Sequence, residues 1–367
     1  MKIIFHHPLP LEQHARSASG IRPIKMLEAF QEIGYQVEVI SGYSTERKQA
    51  IRCVKEKIQQ GTQYAFMYAE SSTQPTTLTD KHHLPLHPWM DGGFFRFCRQ
   101  KNIPIGLFYR DIYWRFDNYG KNLHPLKIAG AKAAYWFDLL IYKNTLTKLY
   151  LPSLEMGKYI PLANQKTFET LPPGHHQALP STPSKKEEII QSSLLRIFYV
   201  GGTSSHYKMH SLFDAVKDLP GVELTICTRK LEWDLVKHEY KTLTENIKII
   251  HESGAKMENH LKNCDIASIF VEPQKYWEFA APVKLYEYIG FHKPILASRG
   301  TLAGSFVENN KIGWTIDYNV NAVRDLLMQL ARNKAQITDV KKSMESIAIQ
   351  NSWQARARQV VEGLRRT

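Results

Sequence analysis

Two runs of alternating strand and helix patterns, interrupted once, place the strongest constraint on the fold of this 367-residue chain. Short apolar runs, among them MKIIFHH, YQVEVISG and IPIGLFYRD, alternate with segments of helical periodicity until about residue 170. The alternation stops at 171–193, which is rich in proline, serine and charged residues, and restarts at LRIFYVGG (195–202). Because this pattern is typical of βαβ units in parallel sheets, we predict an α/β chain with two doubly wound, Rossmann-like domains.

The interruption also predicts the domain boundaries. The N-terminal domain is expected over 1–172, the linker over 173–194 and the C-terminal domain over 195–342. One long helix with an apolar stripe is predicted over about 339–365. We expect the segment 343–367 to cross back to the N-terminal domain.

The composition limits the partners. A net charge of +13 indicates an anionic one: nucleic acid, an anionic membrane surface or a phosphorylated small molecule. The sequence has no zinc-finger or RNP-type pattern, which argues against nucleic acid. The four cysteines lack metal-type spacing and fit buried thiols in a reduced compartment. No signal-peptide pattern or apolar run of about 20 residues occurs, so we expect a cytoplasmic protein, which can still lie against a membrane.

The stretch AAPVKLYEYIGFHKPILAS (280–298) predicts a very short helix followed by a buried strand. Pro282 suits the first turn of a helix, since its fixed φ fits there and its missing N–H is not needed. Gly290 and Pro294 then end the helix after about two turns. A helix that follows a strand in a doubly wound domain points its free N–H groups toward the ligand crevice.

The charged residues of this helix suggest its ligand. Lys284 and Glu287 are three residues apart and share a face, while Val283 lies on another. Glu287 lies five residues beyond Pro282, roughly 7.5 Å along the helix axis, which suits a diphosphate at the N-terminus and a ribose at the carboxylate. The alternative is a solvated surface pair worth a few tenths of a kcal/mol.

The chain resembles the GT-B glycosyltransferases, most closely the family-four-like (group 1) bacterial polysaccharide enzymes. The resemblance is carried by PVKLYEYIGFHKPILAS, which is similar to their donor-binding P-x-K-x-x-E-Y-x-x-x-x-K-P-I element, and by YVGGTSSHYKMHSLFDAV and LYLPSLEMGKYI. It implies two Rossmann-like domains facing across a cleft and a nucleotide diphosphate sugar as donor. The donor residues that it implies include Pro282, Val283, Lys284 and Glu287.

The chain departs from the family pattern in a second donor-binding segment, which follows the first strand of the C-terminal domain. Gly202 stands where those enzymes place an arginine, and Lys208 remains as the lysine a few residues on. Arg229 or Lys230 can supply the missing charge to the diphosphate, and His206 is a further candidate phosphate contact. The alternative for Lys208 and Arg229 is an ordinary surface cation.

The first strand–helix connection offers a second donor contact. Gly20 lets the backbone approach a phosphate or sugar closely, and it resembles the glycine loop that faces the donor in GT-B enzymes. Arg22 is an additional candidate anion contact. The alternative is that Ser19 simply caps the helix.

The segment LFYRDIYWRF (107–116) predicts an acceptor site. Asp111 follows an apolar strand at its carboxyl edge, where a carboxylate can act as general base toward an acceptor hydroxyl. Aromatic side chains in the same loop can pack on sugar rings: Tyr113, Trp114 and Phe116. The alternative is that Asp111 caps the next helix; Glu70, at another strand end, is a weaker candidate base.

The stereochemical outcome stays open in the sequence. Retaining relatives carry a second glutamate with seven residues between the pair, whereas eight residues separate Glu278 from Glu287 here. The overall likeness favours retention. A base at Asp111 favours inversion.

Residues 121–158 predict a membrane-facing surface. They contain six lysines against two acidic residues, together with aromatic residues that include Trp136. A basic, aromatic, amphipathic helix is typical of proteins that lie on anionic lipid. The alternative is that the apolar face is core and the lysines are solvated.

These observations predict a glycosyltransferase that moves a sugar from a nucleotide diphosphate sugar to a glycan acceptor. By resemblance, the acceptor is polyprenyl-linked and the pathway makes bacterial surface polysaccharide at the inner face of the cell membrane. No metal or other cofactor is expected, and His82, His83 and His87 are interpreted as structural or surface residues. The alternative is a GT-B-fold nucleotide-sugar epimerase, which binds the donor without an acceptor.

Overall fold

The computed structural model describes residues 1–12, 18–116, 119–121, 123–162, 164–176, 194–204, 206–240 and 243–365. Most of the predicted linker, 177–193, lies outside these residues. The chain divides into two compact units, an N-terminal unit of Met1–Pro173 with Trp353–Thr367, and a C-terminal unit of Gly174–Ser352.

The N-terminal unit contains a parallel sheet with, in the described residues, six strands in the order β2-β1-β3-β4-β5-β6. These are β1 (Lys2–His7), β2 (Gln36–Ser41), β3 (Met67–Glu70), β4 (Ile105–Phe108), β5 (Lys148–Leu151) and β6 (Phe168–Thr170). Its helices up to β6 are α1 (Ala18–Glu32), α2 (Ser44–Gln59), α3 (Met90–Gln100), α4 (Pro125–Thr145) and α5 (Leu154–Gly157).

The C-terminal unit contains a second parallel sheet, with six described strands in the order β12-β11-β10-β7-β8-β9. These are β7 (Leu195–Val200), β8 (Val222–Cys227), β9 (Ile247–Ile250), β10 (Ile266–Ile269), β11 (Ile295–Ser298) and β12 (Gly313–Ile316). Its helices are α6 (His210–Val216), α7 (Lys230–Val236), α8 (Ala255–Asn263), α9 (Val283–Gly290), α10 (Leu302–Asn310), α11 (Val320–Arg332) and α12 (Ala335–Gln350). The two doubly wound, Rossmann-like units predicted from the strand–helix alternation are confirmed.

Burial on both faces explains why the strands are continuous apolar runs. In β1, Ile3, Ile4 and Phe5 are all fully buried, because helices cover both sides of a doubly wound parallel sheet. Each such side chain contributes about 1.5–3 kcal/mol relative to an exposed one. The cores of the two units are therefore built mainly from the strands that the sequence pattern identifies.

The strand orders locate one switch point in each unit. In the N-terminal unit the order reverses between the adjacent strands β1 and β3, and in the C-terminal unit between β7 and β10. Ligands of doubly wound folds bind in the crevice outside the carboxyl ends of the strands at such a point. A ligand site is therefore expected among the residues that follow these four strands.

The predicted long terminal helix is wrong in one respect, because it is two helices. α12 ends at Gln350, and α13 (Trp353–Arg365) begins after Asn351 and Ser352. The Asn351 side chain donates to the carbonyl of Ile347, a local bond that competes with continuation of the helix. α13 belongs to the N-terminal unit and packs against α1.

The expectation of buried thiols is also wrong for one cysteine. Cys98, Cys227 and Cys264 are buried, but Cys53 is exposed on α2.

Candidate functional site

The short helix α9 is fixed at the switch point of the C-terminal unit by Tyr288. The Tyr288 hydroxyl accepts from the backbone N–H of Val200, at the end of β7 (3.0 Å), and donates to the carbonyl of Ser268 in β10 (3.3 Å). One side chain therefore ties α9 to both strands between which the strand order reverses.

The N-terminus of α9 carries the predicted donor residues. The helix begins at Val283, which is half-buried, and Pro282 lies one position earlier than predicted, at the N-cap with extended backbone. The Pro282 side chain has no capping oxygen, and the N–H of Leu285 donates to the Pro282 carbonyl at 3.1 Å. The N–H groups of Val283 and Lys284, which receive no side-chain cap, are the ones that can face an anion.

Lys284 lies in an aromatic cage beside the loop that follows β7. Its Nζ donates to the hydroxyl of Tyr199 at 2.8 Å and lies 4.1 Å from the centroid of the Tyr199 ring and 4.5 Å from that of Tyr207. Gly201, at φ +149°, allows this approach, because a Cβ there would lie 2.5 Å from Nζ. The loop after β7 and the first turn of α9 thus meet at one ammonium group.

Burial makes this ammonium unusual. It lowers the pKa of Lys284 to about 7, although Glu287 and Glu232 act in the opposite direction. Burial also raises the pKa of Glu287, against the effect of Lys284. A lysine that titrates near neutral pH gains its full charge when an anion binds beside it.

The cavity beside Lys284 is small. It is lined by Pro282, Tyr207 and Trp277 among others and has a volume of about 10 Å³, room for about one water. This cavity is therefore too small for any ligand larger than a water molecule.

The other predicted donor residues lie on the neighbouring segments. The carbonyl of Gly202 accepts from the hydroxyl of Tyr199 at 2.6 Å. His206 is 3.3 Å from Gln274, on the segment that leads to α9. Lys208 forms an ion pair with Glu272 at 3.8 Å.

Arg229 lies at the start of α7 and is mostly exposed. Its guanidinium bonds Glu232 at 2.8 Å, a pair one helical turn apart. Such an exposed pair contributes about 0–1 kcal/mol and is easily exchanged for a ligand.

In the N-terminal unit, Gly20 lies in the first turn of α1. The helix begins at Ala18, so Ser19 lies inside it and is not its N-cap. Arg22, one position past the first turn, is buried against the ring of Phe108, with its guanidinium carbon 3.5 Å from the ring centroid. This position does not leave Arg22 open to solvent.

Asp111 lies three residues beyond the end of β4. Its Oδ1 accepts from the backbone N–H of Tyr113 at 3.3 Å. Burial raises the pKa of Asp111 to about 6, while that bond and the guanidinium of Arg110 act in the opposite direction. A carboxylate with a pKa near 6 suits a general base that works near neutral pH.

The predicted acceptor-side aromatic residues do not form one exposed surface. Trp114 is buried, stacks on Tyr135 at 5.1 Å, and meets the edge of the half-buried Trp136 at 5.9 Å. Phe116 lies 5.4 Å from Tyr159, and Tyr113 is half-buried.

Sequence reasoning missed the caging tyrosines and underrated one carboxylate. Tyr199 lies two residues before Gly201 and Tyr207 lies six residues after it. The available signal was therefore a tyrosine on each side of the two glycines that follow β7. Glu70 ends β3 at the switch point of its sheet and is buried between Arg22 and Arg110. The strand order, which identifies this position, is not visible in the sequence pattern.

Metal-binding clusters and membrane-spanning helices are both absent from the described part of the chain. No group of three or more His, Cys, Asp or Glu side chains there is arranged to hold a metal ion. Likewise, no helix among those residues combines the length and the apolar character needed to span a bilayer.

Comparison with known proteins identifies the fold. No protein-family model and no curated protein sequence matches the chain. Among solved structures, it is similar to HepE from Anabaena in complex with UDP (TM-score 0.66, 14% identity, 100% of both chains). It is also similar to sucrose-phosphate synthase from Thermosynechococcus elongatus (0.66, 12%, 100% of this chain and 99% of that one).

A third similar structure is WaaG, a glycosyltransferase involved in lipopolysaccharide biosynthesis (TM-score 0.57, 10% identity, 99% of both chains). These neighbours have the GT-B fold. Because the likeness extends over the whole chain, this protein has the GT-B fold as well, as the sequence predicted.

Proposed function

We propose that the protein is a glycosyltransferase that uses a nucleotide diphosphate sugar as donor. The observation that carries the proposal is the half-buried Lys284, held at the switch point of the C-terminal unit next to the open N-terminus of α9. A diphosphate supplies the negative charge that both features favour. The HepE structures, which contain UDP, UDP with glucose, or UDP-glucose, support this donor class.

In this proposal Glu287 accepts hydrogen bonds from the ribose hydroxyls. It follows Lys284 by three residues on the same helix, so it lies nearly one turn farther from the diphosphate. Gly202, His206, Lys208 and Arg229 lie on the loops around that end of the sheet and are the proposed further donor contacts. N–H groups and cations there stabilise the departing diphosphate.

Asp111 is the proposed general base on the N-terminal unit, with Gly20 facing the donor. Its pKa of about 6 leaves it largely ionised at pH 7, so it can accept the proton of an acceptor hydroxyl. A base in this role favours inversion, while the likeness to retaining enzymes favours retention. We propose no metal or other cofactor for either route.

We further propose that the acceptor is a lipid-linked glycan of a bacterial surface polysaccharide and that the protein docks on the inner membrane face. The first half of α4 supports this, since Leu126 is 77% exposed between the exposed Lys121 and Lys127. Trp136 is half-buried against Trp114, so the large exposed apolar side chains here are Leu126 and, just before α4, Leu123, and not aromatic rings.

A thermal-shift panel tests the donor site. UDP, GDP, ADP, CMP and their common sugars are added to the wild type, to Glu287→Ala and to the control Glu308→Ala, an exposed glutamate on α10. A ligand at 100 times its dissociation constant stabilises by about 2.7 kcal/mol, which is a shift of several degrees. We expect a base-selective shift that Glu287→Ala reduces and Glu308→Ala does not; no shift in the wild type contradicts the proposal.

The reaction itself needs a second measurement. The selected nucleotide sugar is incubated with lipid-linked oligosaccharide, and transfer is followed by mass spectrometry of the lipid product. Acceptor-dependent transfer supports the transferase. Isomerisation of the donor sugar without transfer identifies an epimerase.

A further inference from the structure

A buried carboxylate lies at the switch point of the N-terminal unit, where Glu70 ends β3. Its Oε1 accepts from the hydroxyl of Tyr68 at 2.8 Å and lies 3.2 Å from Nε of Arg22. Its Oε2 accepts from Nη2 of Arg110 at 3.3 Å. The Glu70 side chain is fully buried, so it is shielded from water while it holds two guanidinium groups.

Glu70 does not balance both of these charges. Burial lowers the pKa of the neighbouring His7 to about 3, so His7 is neutral and adds no charge. Arg22 stacks on Phe108, and among the described residues none of its three guanidinium nitrogens has a hydrogen-bond acceptor, although Nε lies within ion-pair distance of Glu70. Two guanidinium groups therefore share one buried carboxylate.

Asp111 is the other carboxylate that acts electrostatically on Arg110. Arg110 precedes it in the chain and acts on it electrostatically, as it does on Glu70. The Arg110 backbone is fixed as well, since its N–H donates to Oγ of Ser71 at 3.0 Å and its Nε donates to the carbonyl of Ser71 at 3.4 Å. Arg110 is thereby clamped to the end of β3 immediately before Asp111.

We infer that Glu70 is a positioning residue, which acts through Arg110 to hold the carboxylate of Asp111 in place at the end of β4. This inference rests on the proposed function, in which Asp111 is the general base. Glu70 itself does not touch substrate. Its buried charge keeps the guanidinium of Arg110 directed at β3, so that Arg110 does not fold over Asp111 and neutralise the base.

The groups that face Asp111 come from its own loop and from α4. They are Arg110, Tyr109, Tyr113 and Tyr135. Burial raises the pKa of each of the three tyrosines, which keeps them neutral below pH 10. Arg110 is therefore the charge in this group that can change the titration of Asp111 near neutral pH.

The test measures Asp111 directly. Full-length protein is labelled with ¹³Cγ-aspartate, Asp111→Asn identifies the resonance, and its pH titration is compared between the wild type and Glu70→Gln. We expect the pKa of Asp111 to fall by about 1–3 units in Glu70→Gln, because Arg110 then acts on Asp111 alone. The control is Glu169→Gln, a carboxylate on β6 paired with Lys148, which leaves the titration unchanged.

Kinetics gives a second readout with the nucleotide sugar selected by thermal shift. In Glu70→Gln, kcat falls by up to about 100-fold from a displaced base, and the acid limb near pH 6 moves to lower pH. The dissociation constant for the nucleotide, measured on the same proteins, stays unchanged.

A milder variant covers the case in which Glu70→Gln does not fold. Ser71→Ala removes the acceptor of the Arg110 N–H and lowers the pKa of Asp111 in the same direction by a smaller amount. An Asp111 titration identical to the wild type in folded Glu70→Gln, or in Ser71→Ala if Glu70→Gln fails to fold, overturns the inference. A wild type that turns over no nucleotide sugar overturns the proposed function instead, because the titration does not depend on turnover.

Discussion

The two switch points of this molecule hold charge in opposite ways. At the carboxyl ends of β7 and β10, Lys284 is held by the hydroxyl and rings of tyrosines, and burial lowers its pKa to about 7. At the carboxyl ends of β1 and β3, Glu70 is held by a hydroxyl and two guanidinium groups. The first arrangement holds a cation with no carboxylate of the described residues in direct contact, whereas the second holds one carboxylate between two cations.

The difference separates binding from positioning. An incompletely compensated buried charge destabilises the free protein and is relieved when an anion binds, so the C-terminal switch point favours a ligand. At the N-terminal switch point Glu70 and Arg22 are both buried, so this group is closed to a ligand although two guanidinium groups share one carboxylate. The N-terminal switch point therefore serves the loop that carries Asp111.

The largest effect is expected from the loop that Glu70 holds. Asp111→Asn removes the proposed base and should lower the transfer rate about 10²–10⁴-fold, with the nucleotide affinity unchanged. The measurement is kcat with the selected donor and a lipid-linked acceptor, and Asp214→Asn, an exposed residue of α6, is the control. An Asp111→Asn enzyme with wild-type kcat would assign the base elsewhere.

The second effect is on the free energy of unfolding, and it is expected when a substitution removes the carboxylate of the N-terminal switch point. Glu70→Ala leaves two buried guanidinium groups without their carboxylate, so the free energy of unfolding should fall by about 3–5 kcal/mol. Urea denaturation measures it. Changing the half-exposed Glu169 to alanine should lower the free energy of unfolding by no more than about 1 kcal/mol. Equal losses for the two variants would refute the distinction between the buried and the half-exposed carboxylate.

The third effect is on nucleotide binding, and it is expected when a substitution removes the cation of the C-terminal switch point. Lys284→Met fills the aromatic cage without charge, so the ligand-induced stabilisation of about 2.7 kcal/mol should disappear. The unliganded protein should be as stable as the wild type or more so, because a buried cation has been removed. Thermal melts with and without nucleotide measure both quantities, and a marked loss of stability without ligand would mean that Lys284 is structural.

The smallest effect is a pH dependence of nucleotide affinity. Lys284 has a pKa of about 7 in the free protein, and a bound diphosphate raises it, so the complex binds more protons than the free protein above pH 7. Affinity should therefore fall as the pH rises from 7 to 9, by at most about tenfold per unit. Calorimetric titration checks this, and the slope should be absent from whatever binding remains in Lys284→Met.

The sequence predicted the architecture better than it predicted the sites. Uninterrupted apolar strands such as Ile3–Phe5 encode a sheet covered on both sides, so the alternation alone predicted two doubly wound units. The break at Asn351 was missed because it depends on contacts outside the helical pattern, among them the bond of the Asn351 side chain to Ile347 and the bridge between Ser352 and the distant His175.

The residues of the candidate sites also divide into those that the sequence pattern predicted and those that it missed. Lys284 and Glu287 were predicted because they lie together on one short helix. The partners of Lys284 and Glu70 come from distant segments, Tyr199 being 85 residues away from Lys284 and Arg110 40 residues away from Glu70. Such pairs arise from strand order, which periodicity does not encode.

Hydrogen exchange with and without UDP, or whichever nucleotide the thermal panel selects, shows whether the diphosphate binds at the C-terminal switch point. If the C-terminal switch point binds the diphosphate, amides of the loop after β7 and of the first turn of α9 should exchange more slowly in the complex. The amides of residues 67–71 and 105–113 should be unaffected by the free nucleotide. Protection confined to the N-terminal unit, or none anywhere at saturating nucleotide, would contradict the account.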